Sequence, residues 1–379
     1  MVNKLTLALV VTVIVQTGCT VSRMQKSNND SHSRNLPDLY QNYYEYPELI
    51  DSPTLSEIER AYAQKQGSPQ LNRVNVDPTI WAKNSIRRKD FPKFTVKTVE
   101  IPLSLPNELR PKSIKAIQNQ ISHLPKADHK KGEDLKLTYL NRIELYEPKG
   151  LSVGEKRPAI IISPILGGNM IVDGFAKYYA KHGFITAIVH RKEISWNQGE
   201  GFEQIEDYLR TSIIRIRQGL DWMLSHENVD KERIGALGIS YGAILHSILA
   251  ALDNRVKYHV LAMPAAPLSD VIIKCGDPAI KKIIPPVLKQ FDITINELHN
   301  HLQNSIVTDP ILMNEGVRPD QMSFYIAIFD RVVGTRKSFQ LWRAFGKPHL
   351  EILPFGHYGG ILALPILKYQ TRRIFEKKL

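Results

Sequence analysis

Cysteine is almost missing: Cys19 and Cys275 are the only two in 379 residues. They stand too far apart to give the closely spaced ligand pairs of a zinc site. The fold must therefore be held by its core, for which a 43% hydrophobic composition is ample. Other signatures are absent too. There is no His-Glu-x-x-His run, no EF-hand loop and no Walker-type phosphate loop, and the glycines at Gly167-Gly168 and Gly199-Glu200-Gly201 lack dinucleotide-fingerprint spacing. Chemistry without a cofactor or metal is the economical expectation. The apolar run Leu5 to Val15 is too short to cross a bilayer as a helix. Acidic residues are outnumbered, 38 against 50 basic ones, for a formal net charge of +12. Such a balance favours anionic lipid or polysaccharide surfaces. The basic residues are scattered in short runs such as Lys130-Lys131 and Arg372-Arg373 and no recognition motif accompanies them, so no nucleic-acid partner is expected. No internal repeat is visible.

The most informative segment is Gly238-Ile239-Ser240-Tyr241-Gly242. An apolar run suited to a buried strand, Arg233 to Leu237, precedes it, and Ala243 to Leu252, apolar at helical spacing, follows. A G-x-S-x-G between strand and helix reads as a sharp turn that lifts a serine hydroxyl above the sheet edge. Gly238 and Gly242 would let the two backbones pass closely around that turn. A serine hydroxyl needs a base, and the base an orienting acid. Ser323 to Phe329 is an aromatic and β-branched strand pattern with Asp330 at its end. A helical stretch from Thr335 to about Phe345 and a strand from His349 to Pro354 lead to Gly356-His357-Tyr358-Gly359-Gly360. Asp330 and His357 thus each follow a strand, where open α/β sheets place their chemistry.

Several residues compete for those roles. Asp270 follows the strand pattern Tyr258 to Met263 and is an alternative acid, whereas Asp309 and Asp320 lie in loop-rich sequence that suits solvated carboxylates. His299 and His301 suit exposed positions of a polar helix, and His246 suits a satisfied, partly buried histidine on the helix after Ser240. His190-Arg191-Lys192 ends the strand Ile185 to Val189, either binding a substrate anion or forming a solvated loop.

On the segments Gly238 to Gly242, Phe329 to Val333 and Gly356 to Gly359, the chain from roughly Phe94 onward resembles the α/β-hydrolase superfamily, and its esterases and lipases in particular. The resemblance implies a nucleophile at Ser240, an acid at Asp330 and a general base at His357. It also implies two backbone donors for an oxyanion. One is the N–H of Tyr241. The other lies in the loop after Pro158 to Ile162, where this chain has Ser163-Pro164 in place of the His-Gly of many relatives. Proline has no N–H, so that donor is Ile165 or Leu166, with Ile165 favoured.

At the N-terminus, Lys4 is the only charge in the first eighteen residues, and Leu5 to Val15 suits the apolar region of a secretory signal. Gln16-Thr17-Gly18-Cys19 resembles a bacterial lipobox, which implies lipidation at Cys19, export, and anchoring to the envelope membrane. Thr20 after the cysteine leans towards the outer membrane in a Gram-negative host. The expected organisation is a signal over 1–18, a tether and extension over 19–90 including a short helix from Leu55 to Lys65, and a hydrolase domain over 91–379. Strand–helix alternation predicts a mostly parallel sheet flanked by helices. Its opening strands are expected over Lys93 to Leu103 and Leu135 to Tyr146, with a helix over Pro111 to His123 between them. A helical cap of about 268–322 is expected to be interrupted at Pro285-Pro286. There, Ile283, Ile284, Val287, Leu288 and Phe291 either line a pocket or form the cap's own core.

The expected activity is hydrolysis of a small-molecule or lipid carboxylic ester through an acyl-enzyme. Gly-x-Ser-Tyr-Gly also occurs in prolyl-oligopeptidase-like peptidases, although no propeller repeats are present here. A non-catalytic envelope-binding module is the third reading. Nothing in the sequence speaks to oligomeric state.

Overall fold

The computed structural model describes residues 85–379, apart from 104, 106–112, 126, 127, 167, 193, 195, 198 and 199. The signal-like segment, the lipobox-like Cys19, and the tether with its short helix lie outside the described residues.

Nine strands form one sheet: β1 (Ser85–Asp90), β2 (Phe94–Pro102), β3 (Leu140–Pro148), β4 (Arg157–Ile162), β5 (Ile185–Val189), β6 (Val229–Ile239), β7 (Tyr258–Ala262), β8 (Met322–Ala327) and β9 (His349–Leu353). Their spatial order is β1-β2-β3-β5-β4-β6-β7-β8-β9. The first three strands pair antiparallel, as does β3 with β5, and every neighbour from β5 to β9 is parallel. The helices are α1 (Ile114–Ser122), α2 (His129–Lys136), α3 (Met170–Ala180), α4 (Glu203–Leu224), α5 (Tyr241–Leu252), α6 (Leu268–Ile273), α7 (Pro278–Phe291), α8 (Ile295–Ser305), α9 (Thr335–Ala344) and α10 (Leu364–Lys378).

The parallel strands are nearly continuous apolar runs because both faces are covered. In β4, Ala159 and Ile161 pack with α4 and α5, while Ile160 and Ile162 pack on the other face with α3 and α10. Helix α4 shows why it belongs there: Leu209, Ile213, Ile216 and Leu220 recur at helical spacing and are all buried in that one cluster. A third cluster joins Phe324 and Ile326 of β8 to Leu341 of α9 and to Phe345 just beyond it.

Some expectations need correction. Residues 85–90 form an additional edge strand. Leu135 and Lys136 end helix α2 instead of opening a strand, which begins at Leu140. The strand expected to run to Phe329 stops at Ala327, and Ile328 and Phe329 turn towards Asp330. Nor does Pro285-Pro286 interrupt the cap, since α7 runs through both prolines. Two missing N–H donors are outweighed there by the packing of its apolar face. Val287 is buried in the core, Ile283, Ile284, Leu288 and Phe291 pack against it, and Ile283 and Ile284 also line a cavity. Both alternatives for this helix are therefore realised, with Ile283 and Ile284 serving both. Helix α8 starts with a capping box between Thr294 and Glu297.

Buried carboxylates pin the cap's roots. Glu206 of α4 accepts from the N–H groups of Val307 (3.0 Å) and Thr308 (2.9 Å). Asp309 is buried rather than solvated, and accepts from the N–H groups of Leu268 and Ile311. Burial pushes the Asp309 carboxyl up to about 6, opposed by those two N–H donors and aided by the charges of Glu206 and Asp270.

Candidate active site

The loops after β4, β5, β6, β8 and β9 all leave the same edge of the sheet, because those strands are parallel. That shared edge brings together residues far apart in sequence. Ser240 follows β6 immediately, with φ 54° and ψ −122°, a conformation that side-chain-bearing residues rarely adopt. Its N–H donates to Ala262 O of the neighbouring strand (2.8 Å), and its carbonyl accepts from Ala243 N (2.8 Å) and Ile244 N (3.1 Å) in the first turn of α5. The strained turn is therefore fixed from both sides.

The two flanking glycines have the steric role expected of them. A Cβ on Gly238 would stand 2.5 Å from Ala243 Cα, and one on Gly242 would stand 2.6 Å from the Ser163 carbonyl oxygen. The second approach places the Ser163-Pro164 backbone directly against the start of α5.

Ser240 Oγ lies 2.8 Å from His357 Nε2, and His357 Nδ1 lies 2.7 Å from Asp330 Oδ2. The other Asp330 oxygen accepts from Val332 N (2.8 Å) and Val333 N (3.1 Å), so the carboxylate is oriented by its own turn. Thr335 closes that turn: its Oγ1 accepts from Asp330 N (3.1 Å) and donates to Ala327 O (2.9 Å). The turn carrying His357 is held alongside by Phe329 N, which donates to Phe355 O (3.1 Å). Asp330 is buried, and the His357 side chain is 9% exposed.

The rival acid sits elsewhere. Asp270 pairs with Lys337, and His299 Nε2 lies 3.0 Å from its other oxygen. Burial works against the Asp270 charge, but the Lys337 ammonium overrides it and holds the carboxyl below its usual range. His299 is thus half-buried against Asp270 rather than exposed, whereas His301 is exposed as expected and stacks on Phe202 with centroids 4.6 Å apart. Asp320 is exposed. His246 departs from the expected satisfied histidine: it is fully buried, and neither ring nitrogen has a hydrogen-bond partner among the described residues. Burial, with His259 nearby, lowers its pKa to about 3.

Arg191 shows a role that the sequence did not reveal. Its Nη2 donates to both Ile165 O (2.7 Å) and Leu166 O (3.0 Å), and its Nη1 donates to the Tyr208 hydroxyl (3.0 Å). The guanidinium also lies 5.4 Å from the Tyr241 ring centroid. It therefore ties the loop after β4 to the residue that follows Ser240. His190 packs separately, with Nδ1 3.0 Å from Asn169 Nδ2. A planar fork at a strand end, two residues from the sheet edge, is the only sequence signal for Arg191, and solvated loops share it.

Ser240 and His357 open into a cavity of about 480 Å³. Its walls are largely apolar, with Ile165 and Leu166 on the loop side and Ile272, Ile280, Ile283 and Ile284 from the cap.

The prolyl oligopeptidase family matches residues 172–291, which include Ser240 and stop short of Asp330 and His357. An uncharacterized protein of Mycobacterium tuberculosis is 26% identical over 156 residues, 41% of this chain and 35% of that protein. The chain thus covers about a third of the length of that relative. Among solved structures, an acetyl xylan esterase from Paenibacillus sp. superposes with a TM-score of 0.56 at 15% identity, covering 82% of this chain and 99% of the other. Acetyl xylan esterase 1 from Thermoanaerobacterium sp. gives 0.54 at 16% identity, covering 84% and 95%. With this sheet order, this strand-to-helix turn and these structural relatives, the chain is an α/β-hydrolase by fold.

Proposed function

We propose that the protein is a serine hydrolase that cleaves a carboxylic ester through an acyl-enzyme on Ser240. The observation that carries this reading is the continuous relay from Ser240 Oγ to His357 to Asp330 at the mouth of an apolar cavity. In the proposed reaction His357 Nε2 takes the serine proton as Oγ attacks the ester carbonyl carbon. The carbonyl oxygen becomes an oxyanion facing the N–H groups of Tyr241 and Ile165, stabilisation worth a few kcal/mol. The tetrahedral intermediate collapses, the C–O bond breaks, and His357 returns the proton to the leaving alcohol. Water then enters, gives a proton to His357 and attacks the acyl carbon; the acyl C–Oγ bond breaks, His357 returns that proton to Ser240 Oγ, and the acid is released. Asp330 keeps the Nδ1 proton in place and offsets the imidazolium charge.

A serine peptidase is the second reading, favoured by the match to the prolyl oligopeptidase family over residues 172–291. The esterase reading agrees with the activity named for both acetyl xylan esterases. A panel of acyl esters and peptide amides sharing one acyl group separates the two. Ester turnover at least about a hundredfold faster than amide turnover is expected, and amide turnover at or above the ester rate would replace the esterase reading with the peptidase one. On the lipobox-like Gln16-Thr17-Gly18-Cys19 we further propose that the enzyme is exported and tethered by lipid at Cys19 to the bacterial envelope. Metabolic labelling with a fatty acid, lost in Cys19→Ser, is the expected result, and an unlabelled native chain would contradict it.

A further inference from the structure

The cavity at Ser240 is mostly apolar, yet its wall holds a buried cation that ester cleavage does not need. Arg215 stands two turns after Tyr208 on the same face of α4. It is 2% exposed and lines the same cavity as Ser240. Its Nη1 donates to Leu140 O at 2.8 Å, the guanidinium's single hydrogen bond among the described residues. A guanidinium carries five N–H donors in a rigid fork, so most of this one is unused. No carboxylate among the described residues forms an ion pair with it. Burial lowers its pKa to about 10, with Tyr208 and Asp134 favouring the charge from farther away, so the group is a cation at neutral pH. Two residues before Leu140, Thr138 also lines the cavity, and its buried Oγ1 has no hydrogen-bond partner among the described residues.

Burying a cation is costly unless a partner answers it. One bond to a neutral carbonyl at the start of β3 is work that a neutral donor does more cheaply. A planar fork with spare donors, lining one cavity with an unpartnered hydroxyl, matches a carboxylate. We propose that Arg215 and Thr138 form an anion subsite, and that the substrates are esters carrying a second, free carboxylate at the end remote from the scissile bond. The word ester rests on the hydrolase reading of Ser240. The carboxylate rests on Arg215 and Thr138.

The two parts are separable with one pair of ligands, monoethyl adipate and ethyl adipamate, in which an amide replaces the free carboxylate. Calorimetric titration of the full chain carrying Ser240→Ala is expected to show the monoester binding about 10- to 100-fold more tightly than the amide, as for a charge-assisted hydrogen bond. Adding Arg215→Met should bring that ratio close to one. Arg215→Lys, which keeps the charge but loses the fork, should leave an intermediate ratio, and it decides the matter if Arg215→Met does not fold. Equal affinities in Ser240→Ala, no monoester binding at millimolar concentration, or a ratio unchanged by Arg215→Lys would overturn the subsite. Turnover by the native chain then separates the two claims. Preferential binding with no turnover of either ester sinks the hydrolase reading and leaves the subsite standing, whereas turnover of both at equal kcat/KM sinks the subsite alone.

Discussion

Gly242 offers a test of the site that leaves Ser240, His357 and Asp330 untouched. A Cβ added there would stand 2.6 Å from the Ser163 carbonyl oxygen and 3.3 Å from its carbon. Ordinary contact begins at 3.4 Å, so the Ser163-Pro164 backbone would have to retreat by roughly 0.8 Å. Backbone atoms, unlike a flexible side chain, cannot swing aside. The loop they begin carries Ile165, whose N–H is assigned to the oxyanion, and Arg191 grips the same loop through its next two carbonyls. A misplacement of about 1 Å costs on the order of 10²-fold in rate, and losing one oxyanion donor costs about 10²–10³. Gly242→Ala is therefore expected to lower kcat on an activated ester by about 10- to 100-fold, with KM changed much less. Overpacking adds about 1–3 kcal/mol of destabilisation, so the melting temperature is measured alongside to show that the protein is folded. Gly132→Ala on α2, where the nearest atom to the new Cβ is 3.6 Å away, serves as the control and should behave as wild type. A folded Gly242→Ala with kcat within about threefold of wild type would refute the placement of the oxyanion loop.

Other perturbations probe the surroundings. Arg191→Met should lower kcat about tenfold by freeing that loop, and Arg191→Lys should not restore it, since an ammonium cannot bridge both carbonyls while stacking on Tyr241; full activity in Arg191→Met would argue against the brace. His246 stays neutral in the fold and titrates near 6.5 when unfolded, so its contribution to stability is full above about pH 6.5 and is lost as pH falls towards 3. His246→Leu should flatten the loss of denaturant stability below about pH 6 by roughly 1.4 kcal/mol per pH unit, and an unchanged slope would count against this assignment. Asp309 has the opposite sign. Its folded pKa of about 6 exceeds the unfolded 3.8, so stability should fall as pH rises from about 4 through 6 and then level off. Asp309→Asn should remove that slope in urea titrations across this window, and a slope that persists would point to another group.

Much of this was legible in the sequence because it is local. The strand, the G-x-S-x-G turn and the helix after it are adjacent in the chain, and the apolar runs of a doubly covered parallel sheet carry little ambiguity. Asp330 and His357 were readable because each closely follows a strand, and parallel strands bring such ends to one edge. What escaped was long-range. Arg191 looks like any basic residue in a loop until Ile165 and Tyr241 are placed beside it. Asp309 resembles a solvated carboxylate until Leu268 N comes to it from the far root of the cap. Arg215 lies in an amphipathic helix where a surface arginine would read the same, and only packing shows that it faces a cavity. Pro285-Pro286 misled because proline chemistry is local, whereas the apolar face that holds α7 together is satisfied by the core.

The central claim is that Ser240 is an activated nucleophile, and fluorophosphonate labelling with peptide mapping tests it most directly. A mass increase on the peptide containing Ser240, lost in Ser240→Ala and strongly reduced in His357→Ala, is the predicted result. Well-folded native protein that takes no label on Ser240, or labels equally well without His357, would contradict the account.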